Sequence, residues 1–330
     1  MPDVVTVSLL DRSRTRDGFA DGEALRHSVE RAQDAERLGY HRFWVAEHHA
    51  VPGIASGAPA VLLAAIGAAT STIRLGSGGV MLPNHQPLVV AEQFLMLAAL
   101  HPGRIDLGLG RSLGFTAPVR RALRHDADAP DTFADDVREL ASYLDRTAAV
   151  TARPAAEASI PLFLLATGRG VAIAAALGLP VVIGGPILAE PGLDDVLRSY
   201  RAGFAGDGVP RVVLAADVLV ADTEEEARDL ALPEAWATAR SRQTGSFAPL
   251  EPIDRIKDEL AAAVPPRVAE QVAAAQARTI TGTPASVASR IAQLVERTGA
   301  DELLAGGATY DRDALRASDA ALAALFDTAI

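Results

Sequence analysis

LLATGRGVAIAAALG, residues 164–178, contains a whole structural unit. A short apolar run reads as a strand, Thr167-Gly168-Arg169-Gly170 as a turn, and the alanine-rich segment as a helix stopped by Leu177-Gly178. Glycine after a helix end suits the left-handed C′ position. The turn would expose free N–H groups and the positive end of the helix, an arrangement that binds phosphate, and Arg169 would add a charge-assisted contact. Many such turns bind nothing, so the motif becomes informative only in context.

The same strand–helix unit recurs along the chain. Strands are expected near Val4–Leu10, Arg42–Ala46, Ile73–Ser77, Ile105–Gly108, Leu162–Ala166, Val181–Ile183, Val212–Val220 and Glu302–Ala305. Helical spacing of apolar residues falls in Ala24–Leu38, Ala58–Ala69, Leu88–Leu100, Phe133–Leu144, Val171–Leu177, Leu193–Phe204 and Arg312–Leu325. Eight such alternations predict an α/β fold, a (β/α)8 barrel. The strands are continuous apolar runs, as parallel strands covered on both faces should be. An open doubly wound sheet is the alternative, and no Gly-x-Gly-x-x-Gly follows the first strand to support it.

Composition narrows the function classes. The 330 residues are 49% hydrophobic and 22% charged, with a net charge of −11, no cysteine and a single lysine, Lys257. Thiolate catalysis, cysteine-ligated metals and disulfides are excluded. No clustered basic stripe points to nucleic acid or an anionic membrane, and no apolar run reaches the roughly 18 residues of a membrane span. A cytoplasmic protein is expected. Residues 1–330 are expected to form one domain in which the alternation breaks over about 221–300, between strands seven and eight. A substrate lid is expected around Ser241–Val272, with Phe247 on it, and a second long rim loop over Ser112–Thr132, with Phe115.

Reacting groups in a barrel belong at the C-terminal strand ends. Asp11 there reads more readily as a turn or cap residue than as an acid. Gly78-Gly79 reads equally as a tight turn or as a surface approached by a flat ligand. Arg111 is the first charge after the fourth strand, where it could bind phosphate or pair with a rim carboxylate. Arg104, before that strand, belongs at the opposite, structural end. WVAEHHAVPG, residues 44–53, places Glu47, His48 and His49 after the second strand. Adjacent histidines lack the helical spacing of a zinc motif, and a continuing strand would point only one of them at the barrel mouth. A metal would need His85, Glu92 or Asp11 in addition, so none is expected. One inward histidine held by a carboxylate suits proton transfer.

The run FWVAEHHAVPGIASGAPAVLLAAIGAATSTIRLGSGGVMLPNHQPLVVAEQF, followed by LHPGRIDLGLGR, resembles the bacterial luciferase-like monooxygenases over residues 43–111. TGTP and VASRIAQLVERTGADELLAG extend the resemblance toward the C-terminus. It implies a TIM barrel, usually a homodimer through helices early in the barrel, that binds reduced FMN (FMNH2) or the deazaflavin F420. With FMNH2, O2 adds at C4a and the hydroperoxide oxygenates an organic substrate, while a flavin reductase supplies the reduced cofactor. The closest subgroup implies natural-product metabolism, with an aromatic polyketide as one candidate substrate. The resemblance assigns His48 as the active-site histidine with Glu47 and His49 as neighbours, Gly78-Gly79 as the backbone under the isoalloxazine, often with a cis peptide, and Arg111 as a phosphate ligand. Two departures stand out: GRSLGFT follows strand four where relatives read Gly-Arg-Ala-Pro-Gly, and Gly170 replaces a common phosphate-binding serine. The phosphate site would then rest on Thr167, Arg169 and bare N–H groups. F420-dependent hydride transfer and a non-catalytic flavin-binding accessory role are the competing readings.

Overall fold

Parallel pairing closes eight strands into a ring in a computed structural model that describes residues 5–114, 116–124, 130–155, 159–262 and 264–327. Among these residues the strands are β1 (Thr6–Asp11), β2 (Arg42–Val45), β3 (Arg74–Met81), β4 (Ile105–Gly110), β5 (Leu162–Leu165), β6 (Val181–Gly184), β7 (Val212–Val220), β8 (Ile280–Gly282) and β9 (Glu302–Gly306). The order β6-β5-β4-β3-β2-β1-β9-β7 is closed by β6 pairing with β7. This is the expected (β/α)8 barrel, with helices between the sheet and solvent. Phe115 and part of the Ser112–Thr132 loop lie outside the described residues.

Local signals explain the helix limits. Gly39, Gly178 and Gly299 all take positive φ, at 79°, 64° and 59°, directly after helix ends. The helix Pro284–Thr298 begins with proline in its first turn, and the Thr283 side chain accepts a hydrogen bond from the Ser286 N–H.

The barrel interior is filled by Leu10, Trp44, Phe163, Val182, Val213 and Leu304. Trp44 meets Phe163 edge to face at 5.0 Å between centroids. The indole fits because β3 offers no side chains opposite it: a Cβ on Gly76 would sit 2.4 Å from Trp44 Nε1, and one on Gly78 would sit 2.5 Å from Leu10 Cδ1. At the N-terminal strand ends the interior turns polar. Buried Arg42 donates to Asp106 at 2.6 Å and to Glu302 at 2.8 Å, and Ser8 donates to the same Glu302 oxygen at 2.6 Å. Arg104 donates to the Ile73 and Thr70 carbonyls, which confirms its structural place.

The segment between β7 and β9 differs from a simple lid. It holds the helices Glu224–Thr244, Ile253–Ala261 and Pro266–Gln276, followed by β8. Leu232, Trp236, Ile256, Val268 and Val272 give these helices their own apolar core. The three-residue β8, unexpected from the sequence, pairs with the upper end of β7 through Val218↔Ile280 to Val220↔Gly282. The loop around Phe247 is strapped down on the other side: the Gly53 N–H donates to Phe247 O at 2.8 Å, and the Leu250 N–H donates to Thr15 O at 2.9 Å. A Cβ on Gly53 would lie 2.2 Å from Ala248 O, so only glycine admits this approach. The insertion is a packed helical layer fastened at two sides.

Candidate active site

β2 ends at Val45, and the chain then leaves the sheet. The His48 N–H donates to Ser56 O at 2.9 Å, and the Ser56 hydroxyl donates to Ala46 O at 2.7 Å, which curls residues 46–56 over the barrel mouth. The expectation that alternation would turn only one histidine to the mouth fails here, because no strand runs through them. His48 and His49 both line the same cavity of about 770 Å³.

Glu47 is 2% exposed. One of its oxygens contacts His49 Nε2 at 2.6 Å and His85 Nε2 at 2.7 Å, and the other accepts the Met81 N–H at 3.0 Å. Burial pushes this carboxyl up, but the hydrogen bonds and charge of His85, with those from Met81 and His49, hold it below the ordinary glutamate value. The three ligand-capable atoms lie within 4.8 Å of one another. Both Glu–His separations are those of hydrogen bonds. Glu47 is therefore an anchor that orients two imidazoles.

His48 stands apart from that cluster. Its Nδ1 is buried and has no hydrogen-bond partner among the described residues. Burial, then the charges of Arg12 and Arg14, push its pKa down to about 4 against the opposing pull of Glu47. The ring is neutral at ordinary pH. It also lines a second cavity, of about 850 Å³, over the other half of the barrel mouth. The two cavities share His48, Val51, Leu165, Ala166 and Thr167.

Gly78 and Gly79 form part of the first cavity's wall. The peptide between them is cis, and the β3–β4 register is interrupted between Ser77 and Val80. A Cβ on Gly79 would sit 2.9 Å from Gly108 O, so this wall is bare backbone. Arg111, Thr167 and Gly170 also line this cavity, whereas Gly168 and Arg169 are exposed and absent from its lining. Gly168 instead supplies the turn, with φ 54°, and Arg169 adds a charge beside Asp131. Asp131 accepts hydrogen bonds from Arg111, the rim-carboxylate alternative left open by the sequence, and the Arg111 bond holds its carboxyl low. A Cβ at position 170 would lie 2.9 Å from Ala166 Cβ, so a serine there would force the turn to shift.

Residues 5–302 match the luciferase-like monooxygenases. The chain belongs to that family. This luciferase-like monooxygenase is 37% identical over 320 residues to the "Luciferase-like monooxygenase" of Escherichia coli (strain K12), covering 94% of this chain and 93% of the relative. It is 40% identical over 237 residues to the N-acetyl-S-alkylcysteine monooxygenase of Bacillus subtilis (strain 168), covering 68% and 70%. The crystal structure of apo-MsnO8 superposes with a TM-score of 0.88 at 33% identity, covering 98% of each chain. More distant likenesses share the fold alone. The FMN complex of the oxygenating constituent of 3,6-diketocamphane monooxygenase from Pseudomonas putida has a TM-score of 0.72 at 17% identity, covering 97% of each chain. An F420-dependent secondary alcohol dehydrogenase has a TM-score of 0.66 at 14% identity, covering 97% of this chain and 99% of that one.

At the mouth of this luciferase-like monooxygenase, sequence reasoning named His85 only as a possible extra metal ligand and missed Arg12 and Arg14. His85 follows β3 in MLPNHQP and meets Glu47 only through the pairing of β2 with β3. Arg12 bridges Asp217 and Glu234, and Arg14 bonds the other Glu234 oxygen at 2.8 Å. The run RSR at the end of β1 was the available signal. Asp11, as expected, is structural: it accepts from Ser13, Ser28 and Arg31.

The buried histidines predict acid sensitivity. His27, held down to about 3 by burial and by Arg16, Arg312 and Arg31 against the pull of Asp11, joins His48 in being neutral when folded. The unfolded chain protonates both below about pH 6.5. The folded chain does so only below about 4 and 3. Stability is therefore flat above pH 6.5 and falls below it, by on the order of 2 kcal/mol per histidine between pH 7 and pH 5. Thermal melts across this range should show the loss, and His48→Gln and His27→Gln should each remove about half of it. A wild-type melting temperature that does not move from pH 7 to pH 5 would contradict this account.

Proposed function

We propose that this protein is the oxygenating component of a two-component, FMNH2- and O2-dependent monooxygenase acting on an organic small molecule, in natural-product metabolism. The observation that carries the reading is the pairing of a bare Gly78-Gly79 wall with an unpartnered, buried His48 Nδ1 in one cavity. A flat ring needs backbone without side chains to lie against, and a heteroatom-rich ring edge needs one donor or acceptor that the protein has left unused. The residues present fit a flavin.

Gly78 and Gly79 would hold the ring, and Arg111, Thr167 and the Gly168–Gly170 turn the phosphate, with Arg111 exchanging Asp131 for the ligand. Bound reduced FMN supplies the two electrons that, with two protons, divide O2 between one oxygen inserted into the substrate and one water. His48, neutral because it is half-buried near Arg12 and Arg14, can accept or release a proton at Nδ1 without a standing charge. Glu47 holds His49 and His85 in place beside it. The insertion and its strap wall one side of the mouth, which would limit the water that reaches reactive oxygen chemistry.

A flavin reductase is the expected partner, as membership of the luciferase-like monooxygenases suggests. A homodimer is expected as well. Val61, Val89, Met96 and Leu100, exposed at 72%, 47%, 55% and 65%, stand on the neighbouring helices Pro59–Ala69 and Pro87–Leu100. Apolar side chains gathered on adjacent helices mark an interaction face.

The test is anaerobic titration with FMNH2 and with reduced F420, followed by turnover with a flavin reductase and 18O-labelled O2. Tight FMNH2 binding and one labelled oxygen in the product are expected. Binding of F420 without FMN affinity turns the reading to hydride transfer, and product free of label removes the monooxygenase assignment.

A further inference from the structure

The second cavity, under the helix Glu224–Thr244, lies beside the one proposed for the flavin and has a distinct chemistry. Its floor is apolar, with Leu10, Leu165, Val182 and Leu304 rising from the barrel. Its charged residues divide into two sets. Asp217 and Glu234 are both bonded by Arg12, and Glu234 also by Arg14 from behind, so these acids are neutralised within the protein. Arg242, near the end of the Glu224–Thr244 helix, and Arg278, just beyond the Pro266–Gln276 helix, line the same cavity from its outer side. Neither side chain has an ion pair or hydrogen bond among the described residues. Two separate elements thus bring two uncompensated positive charges to one cavity in a chain whose net charge is −11.

We propose that the substrate is a small organic acid: an apolar body lying on the barrel floor, with its carboxylate held at the outer wall by Arg242 and Arg278. Guanidinium groups recognise carboxylates through paired N–H donors, and the apolar floor offers no competing polar partner. The position of the anion orients the molecule. With the acid at the outer wall, the far end points to the seam where His48 joins the two cavities, so oxygen insertion falls on the part of the substrate remote from the carboxylate. This rests on the second cavity being the substrate chamber of the proposed monooxygenase.

The experiment uses the full, cofactor-free chain and a matched pair of probes, 4-phenylbutanoate and 4-phenylbutanamide, measured by isothermal titration. Cofactor-free binding keeps the result independent of whether flavin binds, and a parallel FMNH2 titration reports on that separately. The acid is expected to bind about tenfold more tightly than the amide, and the preference to fall to within about twofold in Arg242→Gln/Arg278→Gln. Arg242→Lys/Arg278→Lys, which keeps both charges but loses the paired donors, should retain an intermediate preference, and melting curves establish that the variants fold. Equal affinity for acid and amide, no binding of the acid, or a preference that survives in the glutamine variant overturns the proposal. Loss of FMNH2 binding alone overturns only the cofactor assignment.

Discussion

His48→Ala is expected to lower turnover by about 10²- to 10⁴-fold, the range associated with removing a positioned proton-transfer group, while FMNH2 binding weakens by no more than about tenfold, the cost of one hydrogen bond. The separation follows from where the imidazole sits. The ring is neutral and partly buried, its Nδ1 has no protein partner, and it stands at the meeting of the two cavities. The cofactor would be held mainly by the backbone of β3 and by the β4 and β5 rim, with His48 adding a single hydrogen bond at the ring edge. Stopped-flow measurement of flavin oxidation beside product formation checks both halves. Turnover within tenfold of wild type, or flavin affinity lost together with turnover, would remove His48 from the chemistry.

The second large effect lies at the other end of the barrel. Arg42→Met is expected to destabilise the fold by about 3–5 kcal/mol, because removing one partner leaves buried charges without compensation. Asp106 is 0% exposed and Glu302 is 1% exposed. Arg74 still reaches Asp106. Glu302 fares worse: its second oxygen already lacks a hydrogen-bond partner, and Arg211 is 3.9 Å away. Urea unfolding of Arg42→Met and of Arg42→Met/Glu302→Gln measures the effect, and the double variant should recover part of the loss. A loss below 1 kcal/mol in the single variant would mean that water replaces the guanidinium.

The barrel was legible because its signals are local: apolar runs of strand length, helical spacing between them, and glycines where helices end. The positions of the glycine pair in β3 and of His48, three residues past the end of β2, were legible in the same way, and both line one cavity. What escaped depends on neighbours distant in sequence. His85 becomes a partner of Glu47 only through strand pairing. Asp131, which holds Arg111, lies 20 residues farther along. The histidine pair was misplaced because β2 has only four residues, and nothing in the apolar pattern shows where a strand gives way to an irregular loop. β8 is shorter still, at three residues, and carries no periodicity of its own. The insertion was read as a lid over Ser241–Val272 because its length was visible and its private core, closed by Trp236 against Ile256 and Val272, was not.

The shared wall between the two cavities has an evolutionary consequence. Five residues join the chambers, while most of the other walls come from different parts of the chain: β2 to the turn after β5 for one, and β1, β6, β7, β9 and the insertion, with Ile54, for the other. Mutations in the insertion can therefore change which molecule is oxidised without disturbing how the electron donor is held. One half of the mouth is free to drift, and the other is tied to a single ligand shape. A scaffold divided in this way can acquire new substrates one helix at a time.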